Sequence, residues 1–155
     1  MTYSLKNIFL YITLVSGLLS LTSCDKKTVL HAYYPIDEAG WKDNDTLLFR
    51  IDSVQQTDIY DIRLEMRIKN EISYPYIHLV VEREFEPLCQ TQCDTVIVPI
   101  KRKDIRQQRN GMHHAQLEVK LASQTLSKGQ NGTIRIYHIM DHCFNVSDVG
   151  IHMEH

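Results

Sequence analysis

The stretch Leu21-Thr22-Ser23-Cys24 carries the residue types whose order most clearly promises chemistry. A short leading segment, with Lys6 as its one charge, runs into a continuous apolar stretch from Ile8 to Leu21. Two small residues then deliver the chain to a thiol. That is the form of a bacterial lipobox, in which the cysteine thiol is diacylated, the chain is cut before it, and the new amine is acylated. The apolar stretch is about 14 residues, the length of a signal h-region and short for a bilayer span. The competing reading is an ordinary secretory signal with Cys24 in place by chance. With the lipid attached, the mature chain starts at Cys24, held to the membrane without crossing it.

Assigning Cys24 to lipid leaves Cys89, Cys93 and Cys143. An odd set outside the cytoplasm points to one disulfide and one leftover thiol. Cys89 and Cys93 lie between two strand-like runs and could clip the mouth of a hairpin; a pair of reduced thiols fits equally well. Cys143 reads as a small buried apolar residue.

His113-His114, His138, His142 and Cys143 are metal-ligand types, but their spacing works against a site. His138 shares a strand face with Ile134, Ile136 and Met140, so a core histidine satisfied by hydrogen bonds is the better reading. Adjacent His113 and His114 point to opposite faces if extended. Hydrolase chemistry has no strained Gly-x-Ser-x-Gly turn here, and no glycine loop is shaped to cradle phosphate. Glu82, Glu84 and Glu86 repeat about every 7 Å along one face, which reads as a solvated face rather than a glycosidase pair. The sequence therefore calls for no metal, no cofactor and no catalytic residue.

Aromatic residues offer a different lead. Trp41 is the single tryptophan, and Tyr33, Tyr34, Tyr74 and Tyr76 sit in loops or at strand starts. Trp41, Tyr74 and Tyr76 are the structural or contact aromatics to watch. An exposed flat ring would stack on a sugar or grip a partner, whereas the favoured reading has Trp41 plugging one end of the fold.

What must position these residues is a set of strands. Tyr60, Ile62, Leu64, Met66 and Ile68 alternate with Asp61, Arg63, Glu65 and Arg67, and Ala115, Leu117, Val119 and Leu121 alternate with Gln116, Glu118 and Lys120. Leu47/Phe49/Ile51, Val96/Val98/Ile100 and Val149/Ile151/Met153 repeat the pattern; 76–85 and 133–140 follow it less cleanly. Period two over seven segments, separated by turn chemistry such as Asn110-Gly111 and Lys128–Gly132, predicts an all-β antiparallel sandwich of jelly-roll or immunoglobulin-like type. Strand order is not readable from this pattern. The expected organisation is a signal peptide over 1–23, a tether and lead-in loop over 24–45, and the sandwich over 46–155. The least structured parts are expected at 86–94 and 101–113, the second holding five basic residues in the nine from Lys101 to Arg109. Removing residues 1–23, which contain Lys6 and no acid, takes the formal charge from −2 to −3. That balance gives no case for nucleic acid.

Several of these segments, taken in order, resemble one family. Gly40-Trp41-Lys42-Asp43-Asn44-Asp45-Thr46 followed by Phe49, then Tyr60-Asp61-Ile62, Met66-Arg67, Tyr74-Pro75-Tyr76 and Leu79, are similar to the GldH lipoproteins of Bacteroidetes. Asp94-Thr95, the Gly132–Met140 run and Asp148-Val149-Gly150-Ile151 continue the likeness, while 101–113 and 141–146 depart from it. The resemblance implies a non-catalytic, lipid-anchored envelope protein associated with gliding motility, working through other envelope proteins and expected at the outer membrane, on its periplasmic or surface face. A surface carbohydrate-binding sandwich is the alternative. The resemblance also implies O-glycosylation at Asp-Ser/Thr followed by an apolar residue, which Asp45-Thr46-Leu47 and Asp94-Thr95-Val96 satisfy; plain strand starts are the other reading of both.

Overall fold

The structure is a computed structural model that describes residues 28–43, 45–69, 72, 74–87, 90–100 and 114–155. The signal segment, Cys24, Cys89, His113 and the basic stretch 101–109 lie outside the described residues. Among the described residues there are eight strands: β1 (Thr28–Pro35), β2 (Leu47–Ile51), β3 (Asp58–Lys69), β4 (Tyr76–Phe85), β5 (Gln90–Pro99), β6 (His114–Leu126), β7 (Gly132–His138) and β8 (Val146–Glu154). They form two antiparallel sheets with orders β1-β8-β3-β6 and β2-β7-β4-β5. Only the β4–β5 connection stays within one sheet. Such an order is the double Greek key of a jelly roll, not the immunoglobulin arrangement.

Alternation accounts for the core. The inward faces of β3, β4, β7 and β8 supply Tyr60, Ile62, Leu64, Met66, Ile68, Ile77, Leu79, Ile134, Ile136 and Ile151, all fully buried. Burial of each such aliphatic side chain is worth roughly 1.5–3 kcal/mol. Tyr60 keeps its hydroxyl satisfied by donating to the Gln56 carbonyl at 2.8 Å. No helix among the described residues is long and apolar enough to cross a membrane.

Three sequence expectations need correction. The segment read as tether and lead-in loop contains β1, which pairs along its length with β8 from Thr28↔Glu154 to Pro35↔Asp148. Its alternation is weak because an edge strand is covered on one side only, so no residue of β1 is fully buried. Residues 90–94, expected in a loop, open β5 and pair with 81–85 of β4. In β6 the alternation slips at Leu121: Ile62 faces Ala122 and Arg63 faces Lys120, leaving Leu121 as a bulge residue.

The two ends of the sandwich differ. β1 begins and β8 finishes at one end, beside the 52–57 and 127–131 turns, which are tied by Val54 N–H to Gln130 O at 2.9 Å and Gly129 N–H to Val54 O at 2.8 Å. The other end holds the segment from Ile36 to Thr46, Tyr74 and the 139–145 turn, and there Trp41 sits.

Candidate functional site

The outward face of β3 carries one residue that does not behave as solvated. Asp61, Arg63, Glu65 and Arg67 all point away from the core, yet Glu65 is only 6% exposed. Its cover comes from β1 and β8, which the sheet order places beside β3. Across the sheet, His31 faces His152, which faces Arg63, and one step along Tyr33 faces Gly150, which faces Glu65. Gly150 leaves the gap that lets the Tyr33 ring lie across β8: a Cβ there would meet Tyr33 Cδ1 at 2.5 Å. The Tyr33 hydroxyl thereby reaches over the glycine and donates to Glu65 Oε2.

The remaining contacts complete a cage around that carboxylate. His31 Nε2 lies 3.3 Å from Glu65 Oε2 and His152 Nδ1 lies 3.4 Å from Oε1. The two imidazoles stack with centroids 4.7 Å apart. Arg67 lays its guanidinium over the Tyr33 ring at 4.7 Å. Arg63 bridges Glu154 at 2.8 Å and Glu118 at 3.1 Å, which draws Glu118 away from the like charge of Glu65 opposite it. Burial pushes the Glu65 carboxyl up, but hydrogen bonds from Tyr33 and His31 and the nearby imidazoles pull it further down, so it stays ionised below the ordinary range.

Burial, followed by the neighbouring carboxylate, raises the Tyr33 phenol from 10.0 to about 12. Folded protein then keeps this proton where unfolded chain loses it. The stability Tyr33 contributes is full below pH 10 and is lost as pH rises toward 12. In urea titrations at stepped alkaline pH, wild type should therefore lose stability more steeply over that interval than Tyr33→Phe. Parallel curves would contradict the assignment.

The residues singled out from the sequence are dispersed. Trp41 is 3% exposed and closes its end of the sandwich. Its indole N–H donates to the Asp45 carbonyl at 2.8 Å, its backbone N–H donates to Cys143 O at 2.9 Å, and its ring meets His138 edge-on at 5.3 Å. His138 is the buried, satisfied histidine expected: Nε2 donates to Trp41 O at 3.0 Å and Nδ1 accepts from Met140 N–H at 3.3 Å. Cys143 is buried against Trp41. Tyr74 is partly buried and donates to the Phe144 carbonyl, whereas Tyr76 is half exposed on β4. His114 and His142 are exposed and belong to no cluster of metal-ligand types among the described residues.

Glu82 and Glu84 are not free on a solvated face, since Tyr137 donates to Glu82 at 3.2 Å and Arg135 to Glu84 at 3.1 Å. Thr46 and Thr95 are both exposed, one just before β2 and one within β5. Cys93 is exposed on β5 opposite Glu82. Its suggested disulfide partner, Cys89, lies outside the described residues.

Sequence reasoning passed over His31 and His152, and took Tyr33 only as an aromatic in a loop or at a strand start, whereas it lies inside β1. Their signal was alternate spacing within 28–35 and 146–154, which shows a shared face for each pair of neighbours but not which strands lie side by side.

Fold and site together define a jelly-roll β-sandwich domain with a buried carboxylate on its outer polar face. Residues 28–153 match the family model described as GldH lipoprotein. This chain belongs to the GldH lipoprotein family. It is similar, at 27% identity over 81 residues, to a protein named gliding motility lipoprotein GldH homolog from Christiangramia forsetii. That match takes in 52% of this chain and 49% of the relative, so the chain spans about half the length of the curated relative it matches. Among solved structures, a family GH115 4-O-methyl-α-glucuronidase aligns with a TM-score of 0.49 at 12% identity, over 83% of this chain and 18% of the enzyme. A likeness so partial carries no argument about activity.

Proposed function

We propose that this protein is a non-catalytic, lipid-anchored envelope component that acts by binding another envelope protein in a motility- or secretion-type assembly, with the outer membrane as its site. The observation that carries the reading is where three of the most exposed apolar side chains gather, with Ile59 standing apart near the other end. Ile97 on β5 lies opposite His78, whose carbonyl accepts from Ile139 N–H at 3.1 Å, and Tyr76 stands one outward position away on β4. Tyr76, Ile97 and Ile139 are each at least half exposed. All three lie toward the Trp41 end. The opposite end starts at Thr28, which four peptide steps hold within about 14 Å of Cys24. With lipid on Cys24, the apolar surface faces away from the membrane, where a partner could reach it. The carbohydrate-binding alternative loses its leading aromatic, because the Trp41 ring is packed inside. O-glycosylation at Thr46 and Thr95 belongs to the same proposal, and their exposure permits it.

The test places a photo-crosslinking residue at Ile97, or at Glu118 on the opposite sheet, in intact cells. Ile97 should give a discrete adduct with one envelope protein and Glu118 none. Cys24→Ala should lose both labelling by a palmitate analogue and membrane retention. Equal adducts from the two positions would refute the binding surface, and a labelled Cys24→Ala would refute the anchor.

A further inference from the structure

We propose that His31, Glu65 and His152 form a binding site for a divalent zinc-class ion, joining the edge strand β1 to β3 across β8. The first support is chemical. Two imidazoles and one carboxylate are the donor set of open zinc sites, in which three protein ligands leave a fourth position for water. Among the described residues, these are the metal-ligand types whose donor atoms fall together, all within 4.8 Å of one another.

The second support is metric. Tetrahedral bonds of 2.0–2.1 Å set neighbouring ligand atoms about 3.3 Å apart. The two histidine-to-carboxylate separations already stand at 3.3 and 3.4 Å. These run to different oxygens, Oε2 and Oε1, so closing the site asks the two stacked imidazoles to turn toward one oxygen of Glu65 or to an ion held by both.

A third support lies in the groups behind the ligands. His152 would bind through Nδ1, and its other nitrogen, Nε2, has Thr28 Oγ1 at 3.5 Å and Glu154 Oε2 at 3.9 Å. Thr28 Oγ1 is placed to accept from Nε2–H and so fix the tautomer that leaves Nδ1 free to bind, with the Glu154 carboxylate just beyond hydrogen-bond distance. On the other side the Tyr33 hydroxyl holds Glu65 in place. His31 stands on the open edge, so the fourth position faces water. The ion would reinforce the strand that leads to Cys24.

The experiment uses the detergent-solubilised full chain with zinc, followed by cobalt as a spectroscopic reporter. The expected result is one ion per chain, cobalt ligand-field bands of tetrahedral type, and a thermal midpoint that rises with zinc concentration. His31→Ala, at an exposed edge position that should not disturb folding, should weaken zinc binding more than tenfold and abolish the cobalt bands. His152→Ala should do the same, while His142→Ala should leave both unchanged. The proposal is overturned if cobalt gives no tetrahedral bands, if zinc leaves the midpoint where it was, or if His31→Ala binds as wild type does.

Discussion

Replacing Trp41 with alanine is expected to destabilise the domain by about 3–5 kcal/mol, the usual cost of truncating a buried large aromatic. That is a substantial part of the roughly 5–15 kcal/mol that holds a domain folded. Three effects combine. The indole fills the end of the core, so its loss leaves a cavity among Cys143, His138 and the Ile36–Thr46 segment. The Asp45 carbonyl loses the donor it has at 2.8 Å. His138, fully enclosed, keeps its bond to the residue 41 carbonyl but loses the ring packed edge-on against it. Trp41→Phe should recover most of the packing and cost about 1–2 kcal/mol. Urea denaturation followed by circular dichroism measures both, since the single tryptophan cannot serve as probe when it is the residue removed. A loss under about 1 kcal/mol for Trp41→Ala would mean that the end closes without the indole.

The second large effect is expected at Gly150. An alanine Cβ there would lie 2.5 and 2.6 Å from Tyr33 Cδ1 and Cε1 and 3.0 Å from the Ala32 carbonyl oxygen. The carbonyl belongs to the strand backbone, so the ring must give way. It is held above by Arg67 and at its hydroxyl by Glu65, so moving it removes the donor from a buried carboxylate. The expected loss for Gly150→Ala is about 1–3 kcal/mol, the range for forcing extra volume into a packed site. The diagnostic is the double mutant. In a Tyr33→Ala background the same substitution should cost markedly less, because the ring it strikes is gone. Strict additivity of the two losses would show that Gly150 is not there for the tyrosine.

How much of this was legible from sequence depended on whether the signal was local. Alternation from Tyr60 to Ile68 marks β3 without ambiguity, and it also places Glu65 on the outward face. That Glu65 is nevertheless covered could not be read there, because the covering hydroxyl comes from a residue 32 positions away. It arrives through a strand, β1, whose sequence Thr-Val-Leu-His-Ala-Tyr-Tyr-Pro has too weak an alternation to stand out beside turn residues. His138 was readable because its face, with Ile134 and Ile136, is defined by its own strand. Trp41 was half readable: a lone tryptophan points to burial, but what it packs on comes from the 139–145 turn. The jelly-roll order required knowing which strands are neighbours, and period two is silent about that.

The pairing of β1 with β8 also sets an order in time. Closing a loop from Thr28 to Glu154 costs roughly 3 kcal/mol more chain entropy than closing the short β4–β5 hairpin. Pairings between near neighbours are therefore the early events, and non-local ones such as β1 with β8 come late. A chain delivered N-terminus first keeps Val29, Leu30 and Ala32 uncovered until the last strand emerges. The strand nearest the proposed anchor is therefore the last to be paired, and the end of the sandwich beside it is the last to be built.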